Sequence, residues 1–267
     1  MPGFVFFACT YNSVINERGG GMLFILTGDV QIGKTRWLEG VCEELAAAGA
    51  NVAGVIAPGQ WVARPEGQAG GKHGLDGAGR FEKLGIDNVL LPQGERIVFA
   101  RRRDLAQAGD GFAGGAQAKA AQLGWAISDN AIDQVNAHFE QLAAGSRPAG
   151  GLLVVDELGR LELMRNCGLT AAMNLLDQGP TREFPNALVV VRETLLDLAK
   201  ERFEPVWGSI KAIAPDDEAR AELLAACGAR SWLIARWRSS PQHSCSIASQ
   251  LVEHCSCFNC AARKAII

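Results

Sequence analysis

Gly28-Asp29-Val30-Gln31-Ile32-Gly33-Lys34-Thr35 is the stretch that decides the fold. It matches the full G-x-x-x-x-G-K-[ST] phosphate-loop pattern. The glycines let the backbone curl so that successive N–H groups point inward, where phosphates sit. A helix opening near Gly33 adds the positive end of its dipole. In such a loop Lys34 reaches the β- and γ-phosphates, and the Thr35 hydroxyl takes one position on Mg²⁺. All eight residues from Gly28 to Thr35 are therefore candidate nucleotide-binding residues, with ATP or another nucleoside triphosphate as the ligand.

The flanks have the required character. Residues 22–27, Met-Leu-Phe-Ile-Leu-Thr, form a continuous apolar run, as in a buried parallel strand. After the loop, Trp37, Leu38, Val41, Leu45 and Ala48 recur at helical spacing and Gly49 is a natural stop. A strand over 52–57 follows, ended by Pro58-Gly59. The order is strand, loop, helix, strand.

A second apolar strand, Gly151-Leu152-Leu153-Val154-Val155, runs into Asp156-Glu157. Parallel sheets bind their ligands at the C-terminal ends of the strands, so this places two carboxylates at the phosphate loop's edge. Asp156 is the candidate Mg²⁺-shell ligand with Thr35. Glu157 is the candidate base that orients and deprotonates an attacking water, and with Lys34 it makes up the catalytic set.

Elsewhere, 88–91 and 96–100 read as strands around the Pro92-Gln93-Gly94 turn. Residues 128–142 read as a helix with Ser128 as its N-cap and Gly145 at its end. Helices are predicted over 169–177, 194–203 and 216–227, and strands over 187–191, 210–213 and 232–235. Alternating strands and helices predict an α/β domain with a mainly parallel sheet covered on both faces. The glycine-rich 64–80 reads as loop and the Ala/Gly-rich 105–124 as an insertion, so 58–125 is a loop-rich region inside a domain spanning 22–237. Residues 1–21 read as an extension ahead of it, and 238–267 as a flexible Cys-rich tail.

Composition narrows the function. The chain has 267 residues, 48% of them hydrophobic, and a net charge of -3, which argues against a nucleic-acid partner held by bulk electrostatics. No apolar run has the ~18 residues that a membrane crossing requires. With no charged start before the apolar residues 4–8, there is no signal-peptide pattern, and the compartment predicted for a nucleotide-using chain is the cytoplasm. Of the eight cysteines, Cys9, Cys42, Cys167 and Cys227 are scattered and read as free thiols. Cys245, Cys255, Cys257 and Cys260 crowd the tail with His243 and His254, either as zinc ligands or as part of a disordered tail. The N-K-x-D guanine signature and the L-S-G-G-Q transporter signature are both absent from the sequence.

Beyond the phosphate loop, Gly54-Val55-Ile56, residues 80–87 and 90–104, and Val154-Val155-Asp156-Glu157-Leu158-Gly159-Arg160-Leu161-Glu162-Leu163 carry a more specific likeness. Over roughly residues 22–230 the chain resembles the P-loop nucleoside-triphosphatase family that includes the human cancer-related nucleoside-triphosphatase and its bacterial and archaeal relatives. The resemblance implies a RecA-like P-loop fold, Mg²⁺ as cofactor, and slow hydrolysis of several nucleoside triphosphates to diphosphate and phosphate. It carries over the phosphate loop, Asp156 and Glu157. Where the family has Thr-His after its fourth core strand, this chain has Val191-Arg192-Glu193, which makes Arg192 the candidate sensor.

Weaker signals remain. Arg103, in the run Arg101-Arg102-Arg103, is either a second sensor acting as an arginine finger or part of a solvated basic face. Glu162 either holds the loop after the Asp156 strand or is an exposed helix-start acid. His73 reads as exposed. Three functions are open at this point: a broad-specificity triphosphate hydrolase, a small-molecule or nucleotide kinase with its acceptor site in 58–125, and a nucleotide-dependent regulator or assembly factor acting on a protein partner.

Overall fold

The apolar run ahead of the phosphate loop folds as β1 (Met22–Leu26), with Leu23, Phe24, Ile25 and Leu26 all fully buried. A strand covered on both faces requires this. The computed structural model describes residues 21–30, 32–63, 81–107, 112, 114–120 and 124–229. The expected extension (all but its last residue), the loop over 64–80 with His73, the strand over 232–235 and the Cys-rich tail lie outside the described residues.

The chain continues through α1 (Lys34–Ala47), β2 (Val52–Ile56), β3 (Gly59–Ala63), β4 (Phe81–Leu91) and β5 (Glu95–Arg102). Two short helices, α2 (Arg103–Gln107) and α3 (Ala116–Ala120), lead to β6 (Trp125–Ile127) and α4 (Asp129–Ala144). Then come β7 (Leu152–Leu158), α5 (Arg160–Arg165), α6 (Thr170–Asp177) and β8 (Asn186–Val191). A 3-10 turn (Glu193–Leu195), α7 (Leu196–Trp207), β9 (Ile210–Ile213) and α8 (Asp217–Ala226) complete the described part.

Among the described residues nine strands form one sheet, ordered β6-β5-β4-β2-β7-β8-β1-β9, with β3 also paired to β4. The ladders from β2 to β9 are parallel, and β8 separates β1 from β7. Those made by β4 with β2, β3 and β5, and by β5 with β6, are antiparallel. The expected mainly parallel sheet is therefore corrected to a mixed one. The cause is local: the turn over 92–94 joins β4 to β5 tightly, and a tight turn returns the chain antiparallel.

Helices cover both faces of the parallel half, as predicted. Leu23, Ile25, Leu153, Val155 and Val189 meet α4, α6 and α7 through Phe139, Leu176 and Phe203. Their neighbours Phe24, Leu26, Leu152, Val154 and Leu188 meet α1 and α8 through Leu38, Leu45 and Leu223. Alternation along each strand divides the two cores. No described helix is long and apolar enough to cross a membrane.

Several boundaries follow from the expected local chemistry. Ser128 Oγ accepts from Ala131 N at 3.2 Å to cap α4, and Gly145 ends it. Asp216 caps α8 through Ala219 N at 2.8 Å. Other elements differ from expectation. β3 begins at Gly59, where Pro58-Gly59 reads as a stop, and Gly59 pairs with Ile86. β4 starts at Phe81 rather than at Asn88, and β6, α2, α3 and α5 have no counterpart in the sequence reading. α7 continues through Pro205 to Trp207, whose Nε1 donates to Leu176 O at 2.8 Å. Cys42, Cys167 and Cys227 are free, and burial pushes the Cys42 and Cys227 thiols up to about 12, leaving them unreactive.

Candidate active site

The phosphate loop is built on two left-handed glycines, Gly28 at φ 128° and Gly33 at φ 94°. A residue with a Cβ is strained at either position. Gly33 opens α1, and no side chain caps that helix end. The first helical amides are left for a ligand, as an anion site requires. Lys34 folds back into the curl, with Nζ donating to Gly28 O at 2.8 Å and Asp29 O at 2.6 Å. Burial holds the Lys34 ammonium below its usual value, against the opposing pull of Glu157 and Asp156. Val30 and Ile32 point outward, and Gln31 lies outside the described residues.

At the C-terminal end of β7, Asp156 is 4% exposed, and its Oδ2 accepts from Ala57 N at 2.8 Å. The Thr35 side chain lies close enough to favour the charged form of this carboxylate, so the start of α1 sits beside the end of β7. Burial pushes the Asp156 carboxyl up to about 6, although the Ala57 amide, Thr35 and Lys83 favour its charged form. A buried carboxylate beside a hydroxyl is a hard-oxygen donor pair of the kind that holds a divalent cation together with waters and phosphate oxygens. Among the described residues no group of three His, Cys, Asp or Glu side chains converges on a metal position. The Thr35–Asp156 pair therefore suits a cation that takes most of its ligands from water and substrate.

Glu157 owes its position to a bulge. Val155 pairs with Val189 and Leu158 with Val191, so β7 carries one more residue than β8 between these pairs. The extra length is taken up with Glu157 at φ 68°, a left-handed conformation that non-glycine residues rarely adopt. Bulges re-aim side chains, and strain of this kind clusters at functional sites. Turned out of the strand, Glu157 Oε1 accepts from Arg192 Nη2 at 2.6 Å and Nε at 3.2 Å. The pair is solvent-facing, with side chains 57% and 37% exposed for Arg192 and Glu157. It adds little to stability, and its consequence is positional.

Sequence reasoning placed Lys34, Thr35, Asp156, Glu157 and Arg192 at one strand edge, and the structure brings these five together. Arg103 is not among them. It lines a separate cleft with Lys119 and Trp125, and the neighbouring Arg102 is held by Glu82 and Asp104. Glu162 is 5% exposed; its Oε2 accepts from Gly159 N at 2.9 Å and its Oε1 from Leu169 N at 3.0 Å. This is the loop-holding role, and the exposed-acid alternative is set aside.

Lys83 is the residue that sequence reasoning missed. Its Nζ lies 5.8 Å from the Trp61 ring centroid and 5.5 Å from that of Trp125. Two indole faces hold the ammonium by cation–π attraction. Burial lowers its pKa, while Glu157 and Asp156 raise it, so Lys83 shares the field of the carboxylate pair. Only the pairing of β3 and β6 onto the two sides of the β4–β5 hairpin joins these three residues, and no local motif records it.

No protein-family model matches the chain, and no curated protein matches it. The solution structure of a human cancer-related nucleoside triphosphatase is similar to it, with 19% sequence identity and a TM-score of 0.47, over 83% of this chain and 100% of that one. A likeness of that depth decides nothing about the chemistry of this chain.

Proposed function

We propose that the chain is a Mg²⁺-dependent nucleoside triphosphatase of broad base specificity, built on a RecA-like P-loop scaffold. The observation that carries this reading is the buried Asp156 at the end of β7 beside Thr35 of the loop helix, with Glu157 turned out by the bulge one residue later. The strand β8 lying between β1 and β7 supports the RecA-like assignment.

In this reading Lys34 leaves the Gly28 and Asp29 carbonyls to pair with the β- and γ-phosphates, and the loop amides take their remaining oxygens. Thr35 and Asp156 would hold the Mg²⁺, which would supply charge neutralisation of the phosphate oxygens. Arg192 exchanges its carboxylate partner for the γ-phosphate, and this frees Glu157 Oε1. Glu157 then orients a water and takes its proton as the water oxygen bonds to the γ-phosphorus. The bond to the bridging oxygen breaks, the diphosphate leaves, and the proton passes from Glu157 to solvent. Lys83 stands by as a second cation near the developing charge.

The test is phosphate release from ATP, GTP, CTP and UTP, with and without Mg²⁺. Release from several triphosphates, lost on chelation, is expected. Tight binding without release removes the hydrolase reading and favours the kinase, which has its own supporting observation in the cavity that opens beside Glu157.

A further inference from the structure

A cavity of about 590 Å³ adjoins Glu157, and no described phosphate-loop residue lines it. Its size falls within the range of roughly 300–1,000 Å³ typical of small-molecule sites. Two parts of the fold meet around it. Phe99 and Trp125 come from the antiparallel strands, and Leu161, Leu195 and Leu198 come from α5, the 3-10 turn and α7.

The polar groups in its wall fall into two kinds. The carboxylates are already matched: Asp156 by Ala57 N, Glu157 by Arg192, and Glu162 by two backbone amides. Asn88, a neutral amide, and Arg160, a cation, make up the second kind. Asn88 is 2% exposed and lines the cavity on the same strand face as Ile86. Arg160 is exposed at the cavity rim near Arg192, with no carboxylate partner among the described residues.

We propose that this cavity binds an aromatic or heteroaromatic anion. Its rings lie between the Phe99 and Trp125 side and the leucines of α5 and α7, its hydrogen-bonding edge meets the Asn88 amide, and its negative group rests on Arg160. The site goes beyond the hydrolase reading and draws on it only for the assignment of the phosphate loop as a separate nucleotide site.

The test is fluorescence titration of the full chain with anilinonaphthalene sulfonate, whose rings, N–H and sulfonate carry these three features. Saturable binding is expected in the presence of saturating ADP and Mg²⁺. Leu198→Trp, which fills the mouth from a partly exposed position, and Arg160→Glu should each weaken it by about tenfold or more. Asn88→Leu should weaken it severalfold, with the Tm of the free protein measured alongside to set aside a damaged fold. No saturable binding, displacement of the probe by ADP, or affinity unchanged in all three variants overturns the proposal. Phosphate release by the unsubstituted chain, measured alongside, keeps the two readings apart: release intact without probe binding sinks the cavity alone, and binding without release sinks the hydrolase alone.

Discussion

The two halves of the sheet meet along β2 and β4, and they are made of different sequence. In the parallel half, β8 is buried at every position and β7 at all but Glu157. In the antiparallel half, β4 runs from exposed at Phe81 to buried near its middle, and β5 is mostly exposed or half-buried. The parallel half holds the proposed phosphate-binding residues in contiguous motifs. The antiparallel half contributes one lysine between two tryptophans and one wall of a cavity, assembled from residues far apart in the chain. The difference shows how a site can be half motif and half pairing pattern.

The comparison can be broken most directly from the parallel side. Lys34→Ala removes the cation inside the loop curl. Triphosphate affinity should fall on the order of a hundredfold, as charge-assisted phosphate contacts warrant, when measured by calorimetric titration. A loss of less than threefold would remove the loop from the account.

Asp156 probes what its burial costs. Its folded carboxyl sits at about 6, above the ordinary 3.8. Between these values the folded state holds a proton that the unfolded state has lost, so the stability of the free protein falls as pH rises through that window. At pH 8 the full penalty is on the order of 3 kcal/mol. Asp156→Asn should recover part of it and flatten the dependence in denaturant melts from pH 4 to 8. Equal pH profiles for the two proteins would contradict the buried-carboxylate description.

Lys83→Met sharpens the comparison from the antiparallel side. Turnover should drop about tenfold with KM nearly unchanged, the mark of an interaction made in the transition state. Unchanged kcat would reduce the antiparallel half to scaffold and cavity wall.

What the sequence made legible follows the same division. The loop, the Asp156 strand, the Ser128 cap with its Gly145 stop, and the strand at Ile210–Ile213 are written in runs of a few residues, where apolar continuity or cap chemistry is local. The β4 extension is not. Phe81, Glu82 and Lys83 mix apolar and charged side chains, because Glu82 pairs with Arg102 and Lys83 faces the indoles. Pro58-Gly59 suggests an end, yet a strand pairing across to Ile86 takes over directly. The bulge at Glu157 exists only in the mismatch between two strands, so Asp156-Glu157 in the sequence marks two candidate carboxylates and not that one is turned out. Arg103 lies apart from the other strand-edge candidates for a similar reason: β5 gives way to α2 at that residue, and it lines the cleft with Lys119.

The central claim is that Glu157, re-aimed by the bulge, is the base for an attacking water. Phosphate release and triphosphate binding, both measured with Mg²⁺ for the native chain and for Glu157→Gln, test it most directly. The account predicts native release that falls by roughly 10²–10⁴-fold in the variant, the range for a general base, with binding retained. Equal release from both proteins would contradict it.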